Sequence, residues 1–190
     1  MKEIIRQYIK LMRVKHYIKN LVVFIPMFFG GYLFDKARII YALGGFVCFC
    51  LIASSVYILN DLCDIEKDRN HHTKKNRPLA SGKIKPKSAI ILMFALLAAA
   101  IVISILLKSV MGAGMLALYF GLNLAYSFGL KDKPILDIVI LASGYVIRIF
   151  YGGFITDVVI SKWLYLVVVS GSLYMGLGKR RNELKSGTNT

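Results

Sequence analysis

"IIYALGGFVCFCLIASSVYILNDLCDIEKD", residues 39–68, decides the fold. The run from residue 39 to residue 59 carries no charge, and an α-helix needs about 20 such residues to cross the hydrocarbon core of a bilayer. The run ends at Asn60, and Asp61, Asp64 and Asp68 follow at i, i+3, i+7. At that spacing three side chains form one stripe on a helix. The stretch reads as a membrane span with an acidic stripe at its water end.

Five further apolar runs lie outward from it, at residues 21–34, 89–107, 110–130, 135–155 and 163–178. The run at 21–34 is short, holds Pro26, and needs Tyr17 and Ile18 at its start to approach span length. The links between runs one and two, three and four, and five and six are short, which makes antiparallel helical hairpins. Composition agrees: 57% hydrophobic and 18% charged over 190 residues is too apolar for an ordinary soluble domain. The expected fold is an all-α membrane protein, an antiparallel transmembrane helix bundle of about six spans. No soluble domain, linker or sequence repeat interrupts it, so residues 1–190 are expected to form one transmembrane domain.

Ahead of the first run stands "MKEIIRQYIKLMRVKHYIKN". Ile4, Ile5, Tyr8, Leu11 and Met12 follow helical spacing, with Lys2, Arg6, Lys10 and Arg13 elsewhere on the turn. That pattern predicts an N-terminal amphipathic helix lying on the membrane surface, and it offers no small-residue cleavage site. Three cysteines, with no CxxC and no Cys/His pattern, argue against a disulfide framework or a zinc site.

The net charge is +15. With the N-terminus in the cytoplasm, 20 of the 25 Lys and Arg fall on the cytoplasmic side. Only Lys36, Arg38, Lys108 and Lys162 fall outside, and Arg148 lies within the fifth run. The excess is a positive-inside signal rather than a nucleic-acid footprint. Every long polar segment then emerges on one face, so a polar cap and any active site open to the cytosol of an inner, cytoplasmic membrane.

Three carboxylates in one stripe repel one another unless a cation sits among them. Mg²⁺ suits them, because it takes oxygen ligands from a few carboxylates and from substrate phosphates. The alternative is a solvated helix end whose acids pair with Lys67, Lys74, Lys75 and Arg77. The continuation "RNHHTKKNRPLASG" places Arg69, Lys74, Lys75 and Arg77 where they could meet a phosphate or a departing pyrophosphate. His71 and His72 lack a third ligand nearby and read as loop residues. After the fourth run, "YSFGLKDKPILD" brings Tyr126 and Lys131 before Asp137. Asp137 and Arg148 share a helix face about 16 Å apart along the axis. A mid-span arginine faces a cavity or a partner. In "GKRRNEL", Lys179, Arg180 and Glu183 form either a stop-transfer cluster or a second anion-binding pole.

"NDLCDIEKD" resembles the NDxxDxxxD motif of the UbiA superfamily of membrane prenyltransferases, and it stands after the second span as it does there. "DRNHHTKKNRPLASG", "YSFGLKDKPILD" and "GKRRNEL" are similar to one branch, the decaprenyl-phosphate phosphoribosyltransferases, and the resemblance covers nearly the whole chain. It implies Mg²⁺ and phosphoribosyl pyrophosphate at Asn60, Asp61, Asp64 and Asp68, with the three aspartates as metal ligands and catalytic groups. Lys74, Arg77, Tyr126, Lys131, Asp137, Arg148, Lys179, Arg180 and Glu183 become expected substrate contacts. A polyprenyl phosphate entering from the bilayer would accept the phosphoribosyl group.

Two departures from the superfamily stand out. The place of its second Asp-rich motif is basic here, which favours phosphoribosyl transfer over prenylation of an aromatic acceptor, the main alternative. The superfamily has nine spans against six runs here, so the chain is expected to lack the last three helices. That leaves an inactive fragment or membrane scaffold as a further alternative, and a homo-oligomer as one way to complete the wall.

Overall fold

The computed structural model describes residues 2–129 and 134–187, and regular structure among the described residues is helical throughout. The α-helices are α1 (Lys2–Leu11), α2 (Ile25–Phe29), α3 (Lys36–Cys63), α4 (Ile65–Arg69), α5 (Pro86–Leu106), α6 (Val110–Ser127), α7 (Pro134–Thr156) and α8 (Lys162–Gly187). Two 3-10 helices cover Val14–Phe24 and Lys74–Asn76.

Among the described residues, four helices are long and apolar enough to cross a bilayer: α3, α5, α6 and α7. Local chemistry sets where they start. Asp35 Oδ1 accepts from the N–H groups of Ala37 and Arg38 at 3.0 and 3.1 Å and caps α3. Pro86 stands in the first turn of α5, where its missing N–H costs nothing. Ser109 Oγ accepts from Gly112 N at 3.1 Å and caps α6.

The run at 163–178 is also helical, but α8 continues to Gly187, so the basic segment after it extends a helix instead of forming a loose tail. The run at 21–34 differs more. It is split between the end of the Val14–Phe24 3-10 helix and the five-residue α2, and it forms no single spanning helix. Pro26 sits in the first turn of α2 and cannot continue a helix from the preceding residues. Asn20, just before the run, is buried and donates to Cys50 Sγ at 3.1 Å.

The chain divides into two compact units. The first comprises residues 1–21 and 43–108. Its core gathers Leu11, Ile58, Leu79, Ile84, Ala89 and Met93, with Tyr8, Leu62 and Ile65 packed against them. Here α1 is amphipathic, but its apolar residues divide: Leu11 enters the core, while Ile4, Ile5 and Ile9 stay exposed. Ser55 Oγ donates to Met93 O at 3.4 Å and Cys48 Sγ to Ala100 O at 3.2 Å, which ties α3 to α5. The outer side of α5 exposes Ile91, Phe94, Ile101, Val102, Ile105 and Leu106. A continuous apolar face of that kind is solvated by lipid, not water.

The second unit comprises residues 22–42 and 109–190. There α7 packs against α2, α6 and α8. The helix α7 meets residue 23 at Gly152, where any Cβ would overlap the Val23 backbone. Among the described residues, none of the three cysteines is joined in a disulfide.

Candidate functional site: an aspartate pair beside a basic cleft

The end of α3 delivers Asn60 and Asp61. The helix is interrupted at Asp64, whose φ of −102° and ψ of 10° leave the helical region, and the short α4 then carries Asp68. The acidic stripe is therefore split over two helices. Its register nearly survives, because Asp64 N donates to Asn60 O at 3.1 Å and Asp68 N to Asp64 O at 2.8 Å.

Asp61 and Asp68 are each 3% exposed, whereas Asp64 is half-buried. One nitrogen of Arg77 joins the two buried acids: Nη1 lies 3.0 Å from Asp61 Oδ1 and 2.7 Å from Asp68 Oδ2. A second guanidinium meets Asp61 from the N-terminal segment, with Arg13 Nη2 2.5 Å from the same Oδ1. Burying carboxylates is costly unless cations and hydrogen bonds satisfy them, and these two arginines supply both. Asn60 Oδ1 is also buried, and among the described residues it has no hydrogen-bond partner.

Arg13 is placed with care. It follows the end of α1 in the left-handed region, at φ 53°, which non-glycine residues seldom occupy. Its amide donates to Lys10 O at 3.2 Å, its carbonyl accepts from His16 N at 2.7 Å, and its guanidinium lies 4.8 Å from the centre of the Tyr57 ring. Lys10 Nζ makes a second link to the motif loop, donating to Asn76 O at 3.0 Å.

Beside Asp61 and Arg77 opens a cleft of about 670 Å³. Six Lys and Arg line it against two carboxylates, so its walls are strongly positive. His16 also lines it. Partial burial, then the charges of Lys19 and Arg13, hold its imidazole below the usual histidine pKa.

The remaining expected residues are spread over both units. Lys74 is exposed on the 3-10 turn Lys74–Asn76. In the second unit, Tyr126 is half-buried near the end of α6. Arg148 is buried on α7, donates to Gly144 O at 2.6 Å and to Tyr119 Oη at 3.3 Å, and faces the Tyr119 ring. Lys131 lies outside the described residues, as do the side chains of Asp137, Lys179, Arg180 and Glu183. Sequence reasoning missed Arg13, Lys10, His16 and Lys83 as site residues. The available signal was slight: Arg13 is the first residue after the apolar spacing of α1 stops at Met12.

The donor set can be tested against Mg²⁺. Among the described residues, no three carboxylate, imidazole or thiolate groups gather closely enough to hold a metal alone. Two carboxylates nevertheless converge on one cationic nitrogen, with an orphaned amide oxygen on the residue before Asp61. Mg²⁺ commonly uses one or two carboxylates and completes its shell with water and phosphate oxygens. Asp61 and Asp68 fit that pattern.

The chain belongs to the UbiA prenyltransferase family, whose model matches residues 23–178. It is 40% identical over 188 residues to a decaprenyl-phosphate phosphoribosyltransferase of Mycolicibacterium smegmatis, covering 97% of this chain and 59% of that one. It is 37% identical over 179 residues to the enzyme of that name from Corynebacterium glutamicum, covering 93% and 54%. The chain thus spans little more than half the length of the curated relatives it matches. A solved UbiA homologue from Archaeoglobus fulgidus, bound to DMAPP and Mg²⁺, shares the fold at a TM-score of 0.75 and 19% identity, covering 88% of this chain and 60% of that one. The molecule is a membrane-embedded, multi-helix member of this family.

Proposed function

We propose that this chain carries the donor-binding half of a Mg²⁺-dependent transferase. It moves a 5-phosphoribosyl group from phosphoribosyl pyrophosphate to a polyprenyl phosphate such as decaprenyl phosphate. The reaction takes place at the cytosolic face of the inner membrane. A phosphate oxygen of the lipid forms the new bond to the anomeric carbon, the bond from that carbon to pyrophosphate breaks, and pyrophosphate leaves. The acceptor is already anionic near neutral pH, so no general base is needed.

Mg²⁺ supplies charge neutralisation of the leaving pyrophosphate. Asp61 and Asp68 would hold it, with Asp64 at the helix break beside them and Asn60 Oδ1 as a further oxygen. Arg77 and Arg13 keep the acids in place and lend positive charge to the same end of the cleft. Such preorganised cations act where charge develops as the bond breaks. The observation carrying this reading is the buried Asp61–Arg77–Asp68 bridge beside a cleft walled by cations. The similarity to relatives named decaprenyl-phosphate phosphoribosyltransferase supports the choice of substrates.

Membranes containing the chain are incubated with radiolabelled phosphoribosyl pyrophosphate, decaprenyl phosphate and Mg²⁺. A labelled lipid is expected, and it should disappear with EDTA and with Asp61→Asn. No labelled lipid, together with prenylation of an aromatic acceptor from a prenyl diphosphate, would assign the chain to the other chemistry of the fold.

A further inference from the structure

The N-terminal segment does more than lie along the membrane. It forms one wall of the cleft: Lys10, Arg13 and His16 come from it, while Asp61, Arg77 and Lys83 come from the end of α3 and the following loop. Both acids in the lining are already engaged, Asp61 by two arginines and Glu3 by the Gln7 amide at 3.1 Å. The surplus positive charge is therefore not consumed within the cleft. A volume of about 670 Å³ is too large for one inorganic ion and lies in the range of pockets for small organic ligands. The backbone around Arg13 is held in a left-handed conformation, which persists only where surrounding contacts enforce it. The backbone bonds of Arg13 run to Lys10 and His16, which line the cleft together with Lys83.

We propose that this cleft binds a phosphate monoester dianion, with Lys10, His16 and Lys83 as its contacts and Arg13 as the residue that positions the N-terminal wall. The inference deepens the transferase reading and rests on it for the identity of the ligand. The proposed reaction has two phosphate monoesters: the 5-phosphate of the sugar donor and the phosphate of the acceptor lipid. Both offer the same dianionic head to lysine and imidazole, and charge-assisted hydrogen bonds of this kind are the strong ones. The pyrophosphate end of the donor belongs to the aspartate pair at the Asp61 end of the cleft, so Lys10, His16 and Lys83 serve a separate group.

The test uses the full chain in detergent, in EDTA so that divalent metal plays no part. Ribose 5-phosphate and farnesyl phosphate are titrated separately by isothermal titration calorimetry, with ribose and farnesol as controls lacking the phosphate. One or both phosphates should bind and neither control should. The double variant Lys10→Ala/Lys83→Ala should weaken binding roughly tenfold or more, and Lys10→Arg/Lys83→Arg should restore most of it. Lys162→Ala, which removes an exposed lysine at the start of α8 that does not line the cleft, should leave binding unchanged. Binding of ribose 5-phosphate assigns the cleft to the donor, and binding of farnesyl phosphate alone assigns it to the acceptor. Absence of binding by both, or binding indifferent to the double substitution in a variant that keeps its helical circular dichroism, overturns the proposal. Because this binding is measured without metal, phosphate binding here together with no transfer in the Mg²⁺-containing membrane assay would sink the transferase reading alone.

Discussion

Arg13 and Asp61 stand 48 positions apart in the chain and 2.5 Å apart at their charged atoms. That pair ties the segment before the first apolar run to the end of the second, and it brings the N-terminal wall against the acidic motif. Asp61 is shared with Arg77, so the two arginines work on one carboxylate from opposite sides of the sequence.

Arg13 carries a guanidinium and a strained backbone at once, and substitution can separate them. Glycine takes a left-handed φ without strain, whereas alanine keeps a cost of roughly 1–2 kcal/mol there. Arg13→Gly is therefore expected to unfold at a higher temperature than Arg13→Ala, with both losing transfer activity to a similar extent. Melting curves in detergent check this, and equal melting temperatures would rule out the left-handed assignment.

Arg77 pairs with both Asp61 and Asp68, the residues that would hold a divalent ion. Arg77→Ala should strengthen Mn²⁺ binding to the substrate-free protein, read by electron paramagnetic resonance, because the competing cation is gone. The same change leaves two buried acids less well satisfied and should cost about 1–3 kcal/mol of stability. Weaker Mn²⁺ binding in Arg77→Ala would show that the ion and the arginine do not compete.

His16 is held below its ordinary pKa of 6.5 by partial burial and by Lys19 and Arg13. The folded chain thus favours the neutral ring. The stability this contributes is present above the unfolded value and is lost as pH falls through the lower folded midpoint. An NMR titration should place the midpoint of His16 under 6.5, and ribose 5-phosphate, if it binds there, should move it upward. A midpoint that does not respond to a phosphate shown to bind would place that phosphate elsewhere.

Gly152 packs so closely on the Val23 backbone that a methyl group has no room. Gly152→Ala should destabilise the second unit by roughly 1–3 kcal/mol through overpacking. A drop in melting temperature in detergent is the readout. Gly171→Ala, at a position open to space, is the matched control and should leave it unchanged.

Four spans could be read from the chain because apolar length is a local property: α3, α5, α6 and α7 each fall on a long apolar run. The run at 21–34 had the right composition, but composition does not register what Pro26 does to a helix. The buried hydrogen bond of Asn20 is equally invisible there, because its partner Cys50 lies far along the chain. In the site, spacing alone pointed to Asp61 and Asp68, since i and i+7 share one helix face about two turns apart. Spacing could not show that Asp64 would bend the stripe. Nor could it find Arg13, whose meaning depends on a contact across 48 residues. Arg148 announced itself as a charge inside a span, and burial against Tyr119 and Gly144 is how the fold accommodates it.

The tether between α1 and the motif has a practical side. Trimming residues 1–13 to ease purification would leave α3, α5, α6 and α7 in place, and circular dichroism, dominated by such long helices, would change little. It would also lack Lys10 and one of the two counter-charges on Asp61, so under the proposed function an assay on it would report lost activity although every aspartate is intact.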